Sequence, residues 1–263
     1  MLDALTKSRP LLFLLIKRDL QARYAGSAAG VLYHVIQPLV LIVIYIAIFS
    51  HLMASKGGAG VSRFDYAIHL TSGIIPWFLF SEVLGRCTTA MADHAEFLKK
   101  MAVPEVVVHV AIYLQSLLIH GGSMLALAAL LYVAGGPITP VFWLALPIMA
   151  ALGLVALGVG MVLSVLHLVV KDVGPLVQIG LQFAFWLTPI VYLFSVVESA
   201  GLGILPRINP VFPFISLIQR LYGSPSHAFQ TDAYPLLIIL PLFAMGFGLR
   251  FLERHRSEVL DQL

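Results

Sequence analysis

Six stretches of this chain, 29–52, 66–84, 106–133, 141–169, 173–194 and 234–252, are nearly free of charge and about as long as a membrane is thick. A bilayer core of about 30 Å takes about 20 apolar residues wound as a helix. Composition agrees, with 60% of residues hydrophobic and only 11% charged, against about 25% charged in a soluble domain. The expectation is an all-α integral membrane protein, a single transmembrane domain over residues 1–263 with six transmembrane helices per protomer. A net charge of +3 is too small to argue for a nucleic-acid partner. The lone cysteine, Cys87, rules out an internal disulfide, and no Cys/His spacing suggests zinc. The apolar run from Leu11 to Ile16 is short for a signal core and runs straight into Lys17 and Arg18, so no cleaved leader is expected.

An even number of spans puts both termini on one side, and basic residues choose the side. Lys7, Arg9, Lys17, Arg18 and Arg23, then Arg86, Lys99 and Lys100, then Lys171, then Arg250, Arg254 and Arg256 all fall on one side, twelve against four (Lys56, Arg63, Arg207, Arg220) on the other. Both termini are therefore expected in the cytoplasm. Residues 11–25 mix an apolar run with Lys17, Arg18, Asp19 and Arg23, the pattern of a helix lying along the cytoplasmic leaflet. An ordinary basic flank of the first span would have the same composition. On the external side, residues 195–232 carry Pro206, Pro210, Pro213 and Pro225 among apolar residues. PFISLIQRLYG has helical spacing (Ile215, Ile218, Leu221, Tyr222) but is too short to span, so short re-entrant or interfacial helices fit there.

Between the second and third stretches lies a polar island, residues 88–104, with Asp93, His94, Glu96, Lys99 and Lys100 crowded together. Asp93 followed three residues later by Glu96 resembles a capping box. Acids at the start and lysines at the end oppose the helix dipole. Phe97 and Met101 lie one turn apart, and Pro104 marks the boundary with the next span. A short amphipathic helix over about 93–103 is expected, the alternative being a solvated loop.

The chain contains no G-x-x-x-x-G-K-[ST], H-E-x-x-H or G-x-S-x-G motif. Ionisable groups within or beside the spans are few: Glu82, His109, His120 and Glu105. Glu82 and Arg86 are four apart and can neutralise each other on one helix face. The scattered histidines read as neutral, hydrogen-bonded packing residues. Aromatic residues gather as Phe183, Phe185, Trp186 and Tyr192, as Trp77, Phe78 and Phe80, and as Tyr33 and Tyr45. Such rings suit stacking on sugars as well as anchoring at the membrane interface, and both readings stand at this point. GSAAG (26–30) and GLVALGVG (153–160) are small-residue patches suited to close helix packing.

Three segments carry a family likeness. KRDLQARYAGSAAGVLYHVIQPLVLIVIYIAIF (17–49) resembles the opening signature of type-2 ABC exporter permeases that move lipid-linked polysaccharides, a basic interface helix ending R-Y-x-G-S and then a first span carrying P-L. VVKDVGPLVQIGLQFAFWLTPIVY (169–192) resembles the second landmark, a basic–acidic pair at a turn followed by F-W-x-T-P-I-x-Y. RINPVFPFISLIQRLYG (207–223) resembles the third, N-P followed by an external helix containing an arginine. The chain departs from the usual pattern at Ala28 and Ala29, where a larger apolar residue is common, and at Tyr33, where tryptophan is common.

The resemblance implies a half-transporter of the bacterial inner membrane, working as a homodimer with two copies of a separate ABC ATPase subunit. That subunit would bind the ATP and Mg; no cofactor is expected in this chain. It implies that residues 93–103 form a coupling helix docking on the ATPase through Asp93, His94, Glu96, Phe97, Lys99 and Lys100. Lys17, Arg18, Asp19 and Arg23 would belong to the interface helix. The cargo would be O-antigen or capsular polysaccharide on a lipid carrier. Tyr33, Trp77, Phe78, Phe183, Trp186 and Tyr192 are candidates to line its channel, and Arg207, Asn209 and Arg220 to form an external gate. A teichoic-acid exporter permease is the nearest alternative. A secondary transporter would need midplane ion sites and a repeat, and a lipid–sugar enzyme would need clustered carboxylates or histidines; neither pattern is visible in the chain.

Overall fold

The computed structural model describes residues 9–24, isolated positions between 40 and 48, and residues 63–101, 104–133, 140–223, 234–256 and 259. Apart from those isolated positions, the expected first span, 29–52, and Tyr33 lie outside the described residues. The order is α1 (Arg9–Tyr24), α2 (Arg63–Asp93), α3 (Ala95–Met101), α4 (Val106–Val133), a 3-10 turn (Pro140–Leu144), α5 (Ala145–Val169) and α6 (Val173–Leu187). Three short helices follow, α7 (Phe194–Ser199), α8 (Ile204–Arg207) and α9 (Phe212–Leu221), and then α10 (Tyr234–Arg254).

Four helical segments among the described residues are long and apolar enough to cross a bilayer: Asp65–Asp93, Val106–Val133, Phe142–Val169 and Tyr234–Arg254. They coincide with four of the expected stretches. Stretch 173–194 behaves differently. Its helix, α6, has 15 residues and stops at Leu187, about 22 Å at 1.5 Å per residue. Pro189 is the cause. Proline disfavours a helical residue before it, and Thr188 is extended, at φ −95° and ψ 129°.

The bundle is built around α5. It packs along α2 on one side and α10 on the other, while α4 covers a second face of α2 and α1 lies against α4. Small residues set the spacing. A Cβ added to Gly158 of α5 would stand 2.2 Å from the Ala244 carbonyl oxygen of α10, and one added to Gly248 would stand 2.3 Å from the Gly158 carbonyl oxygen. Gly160 admits Cys87 of α2 and Gly153 admits the Tyr113 ring of α4, with hypothetical Cβ contacts of 2.4 and 2.7 Å. Lipid tails give apolar helices little hydrophobic reason to associate, so backbone approach at small residues supplies the contact. The small-residue patch 153–160 is thus a packing surface.

The short helix α9 fills the space that α6 leaves. Every residue from Phe212 to Gln219 is buried, and the helix nests against α2 and α5.

Candidate functional site

Two places in the bundle concentrate polar groups: the end that carries Asp93, and the break after α6.

At the first, α2 does not end in a loop. The His94 N–H donates to Ala90 O at 3.1 Å and the Leu98 N–H donates to His94 O at 3.0 Å, so an i→i−4 bond ties His94 to each helix. Only His94 leaves helical geometry, its Nδ1 lying 3.0 Å from Ala90 O. The expected short helix is present as α3, beginning at Ala95. The Asp93 carboxylate accepts a hydrogen bond from the Thr89 hydroxyl at 2.6 Å, one turn back on α2. Residues 88–101 contain neither proline nor glycine, so nothing forces the span to stop and it merely bends. On α3, Leu98 is buried and Phe97 half-buried against the core, while Asp93, Glu96 and Lys99 are exposed around the bend. Lys100 lies within α3 and Arg23 within α1.

The α1 helix lies against α4. Leu15 is buried, Leu12 and Ile16 pack against the core, and Phe13, Leu14, Lys17 and Arg18 are exposed. Asp19, one turn after Leu15, turns inward and pairs with Arg86 of α2. Arg86 also donates to Glu82 at 3.3 Å and to the Gln115 side-chain oxygen of α4 at 3.1 Å. Glu82 in turn meets His120 Nε2 of α4 at 2.8 Å. The i, i+4 pair expected from spacing is therefore the centre of a polar seam joining three helices. A cavity of about 20 Å³ lies beside it, between Leu15, Ile16 and Asp19 of α1, His94 at the bend, and Gln115 of α4. Close by, Arg256 beyond α10 reaches the buried Glu105 at 3.4 Å, and Val259 is buried, so the chain after α10 is stapled to the start of α4.

At the second place, the broken helix leaves backbone carbonyls inside the bundle, where each needs a donor. Tyr66 donates its hydroxyl to Val191 O at 2.7 Å, and His69 Nε2 lies 3.3 Å from Tyr192 O. Gln219 of α9 donates to Pro189 O at 3.2 Å and His69 O at 3.3 Å. Asn209 donates to the Thr188 hydroxyl at 2.7 Å, Thr188 donates to Ala184 O at 2.7 Å, and Asn209 Oδ1 accepts from Val211.N at 3.0 Å. Asn209, expected at an external gate, thus closes the break. Arg207 does lie on the surface, bonded to Glu198 at 2.8 Å with its guanidinium 5.5 Å from the Phe194 ring centre, and Arg220 is exposed.

The candidate channel aromatics divide. Trp77 is buried between Phe80 and Phe185, both with ring centres at 5.7 Å, so it belongs to the packing of α2 on α6. Phe78 and Tyr192 are half-buried, and the Tyr192 hydroxyl donates to Trp186 O at 2.7 Å. Phe183 and Trp186 point outward from α6, 69% and 49% exposed.

A membrane bundle with a bent arm at one end and a proline-broken span at the other fits one family by sequence. Residues 10–222 match the model of the ABC-2 type transporter family. The chain belongs to that family. Over 97% of its length it is 24% identical to a Myxococcus xanthus protein named O-antigen export system permease protein RfbA, covering 96% of that protein. Two Klebsiella pneumoniae proteins of the same name are 27% and 26% identical, over 90% and 81% of this chain and 90% and 80% of their own lengths. The chain is accordingly a multi-pass ABC-2 membrane subunit, a transporter component and not an enzyme. Membership implies an ABC ATPase subunit as its partner.

Sequence reasoning found Glu82 and Arg86 as a pair but missed Asp19, Gln115 and His120 as their partners. The available signal was the scarcity of intramembrane charge, since each ionisable group in a span needs a partner. It also missed Tyr66, His69 and Gln219 as the donors that finish the break.

Proposed function

We propose that this ABC-2 subunit is the permease of an ATP-driven exporter that carries a lipid-linked polysaccharide of the O-antigen class across the bacterial inner membrane. Two copies form the channel, and two ABC ATPase subunits supply ATP hydrolysis and hold ATP and Mg; this chain holds no cofactor. Its single domain has both termini in the cytoplasm. The end-to-end similarity to O-antigen export permeases carries the reading and favours O-antigen over capsule or teichoic acid.

The chemistry is one of conduction. A polysaccharide is too long for a single midplane pocket, and exposed rings such as Phe183 and Trp186 offer many weak, sequence-tolerant contacts along which sugars slide. The bent arm, with Glu96 and Lys99 exposed, docks in the ATPase and receives its stroke. Because α3 is bonded through His94 to α2, that stroke reaches the span without a slack loop.

The test is complementation. In a strain whose own O-antigen permease is deleted, this chain with the ATPase encoded beside it restores long O-polysaccharide on the cell surface. Normal membrane expression with no restored polymer would refute the assignment. Charge reversal by Glu96→Lys with Lys99→Glu lowers export while the protein stays in the membrane; wild-type export from that variant would refute the docking role of α3.

A further inference from the structure

We propose that Arg86 is the positioning residue that makes the interface helix α1 and span α4 follow the bent arm, so that α1 is a second element moved by the ATPase. This rests on the exporter reading above.

Arg86 lies eight residues before His94 at the bend, about 12 Å along the helix axis. It bonds partners on three helices at once: Asp19 on α1, Glu82 on its own α2, and Gln115 on α4. A planar guanidinium holds its donors in a fixed fork and so fixes the directions of its three partners, whereas an ammonium has three donors that rotate freely and fixes none. The Gln115 orientation is dictated by chemistry, since an amide NH₂ turned toward Arg86 would set donor against donor. Gln115 is 1% exposed, so its carbonyl is spent on this contact and not on water. Glu82 extends the seam to His120, one to two turns further along α4.

The mechanical consequence follows from the bonding at the other end. α2 and α3 are separated by His94 alone, which is bonded to Ala90 on one side and to Leu98 on the other, so a push on α3 is passed to the rod of α2. Arg86 travels with that rod. Elsewhere α1 meets the bundle through Leu12, Leu15 and Ile16, apolar contacts that can slide, whereas the Asp19–Arg86 pair fixes register along the helix. Charge pairs of this kind set register more than they add affinity.

The experiment uses the full permease–ATPase complex in lipid vesicles, with hydrogen exchange of the α1 amides followed in the ATP-free and ATP-trapped states, alongside export per ATP hydrolysed. In the wild type, α1 stays protected in both states. Arg86→Gln, Arg86→Lys and Asp19→Asn each speed α1 exchange by about tenfold and lower export per ATP by about fivefold, leaving ATP turnover in place. Arg86→Gln combined with Asp19→Asn is no worse than Arg86→Gln alone. Unchanged α1 protection, or unchanged export per ATP, would overturn the proposal. If Arg86→Gln fails to reach the membrane, Asp19→Asn, which leaves Arg86 bonded to Glu82 and Gln115, decides by the same two readouts. A wild-type complex that hydrolyses ATP without exporting polymer would sink the exporter reading, while the exchange readout would still judge Arg86.

Discussion

The closest backbone approach in the bundle offers a sharp test of how it holds together. Gly158→Ala adds one methyl group to α5, 2.2 Å from the Ala244 carbonyl oxygen, 2.3 Å from its carbon and 2.6 Å from Met245.N. All three are backbone atoms, so no side chain can swing aside. An ordinary carbon–oxygen contact would require α5 and α10 to part by about 1 Å, and a gap of that size forfeits about a quarter to a half of each dispersion contact it opens. Overpacking of this kind costs about 1–3 kcal/mol, which for a chain of this size lowers the apparent melting temperature by about 3–10 °C. Gly246→Ala is the matched control. It lies on the same α10, is exposed, and a Cβ there meets nothing within 4 Å. Thermal unfolding of the detergent-purified protein, monitored by tryptophan fluorescence at one fixed scan rate, compares the two. Equal melting temperatures for Gly158→Ala and Gly246→Ala would refute the glycine-spaced contact between α5 and α10.

Other consequences can be checked in the same preparation. Gln219→Leu strands the Pro189 carbonyl and should cost about 1–3 kcal/mol, read as a lower melting temperature with unchanged helicity by circular dichroism. Trp77→Ala empties a buried site and should destabilise by about 3–5 kcal/mol. Phe183→Ala and Trp186→Ala should leave thermal stability near wild type but shorten or reduce exported polymer; full export would mark those rings as membrane anchors. Arg207→Ala breaks a pair whose side chains are 42% and 54% exposed, so its melting temperature should change by less than the equivalent of about 1 kcal/mol.

Which features were legible in the chain depends on how local their cause is. Stretch 106–133 is the helix Val106–Val133, and 234–252 lies within Tyr234–Arg254, because transfer to lipid is decided residue by residue along a window. The Glu82–Arg86 contact was readable for the same reason, being set by helix pitch. The end of α6 was missed although Pro189 stands in plain view, because hydropathy scores side chains while the break is a backbone event. Asp93 and Glu96 have the spacing of a capping box, and the Asp93 carboxylate also takes the Thr89 hydroxyl, a contact equally set by helix pitch. Asp19, Gln115, His120 and Gln219 find partners 29 to 150 residues away, and no window along one sequence contains such information. Trp77 and Trp186 look alike as residues, but one is packed against Phe80 and Phe185 and the other faces outward.

The one-residue junction at His94 has a consequence for how this segment can vary. Loops between spans ordinarily tolerate insertions, because extra residues spread into slack. Here each residue added between Arg86 and Glu96 would turn everything beyond it by about 100° around the helix axis and carry it about 1.5 Å outward. Glu96 and Lys99 would then present themselves in a different direction relative to Arg86. The arm is thus a phase-keeping element: its residue count encodes an angle, so chain length there matters to the proposed docking of α3 as much as the charges do.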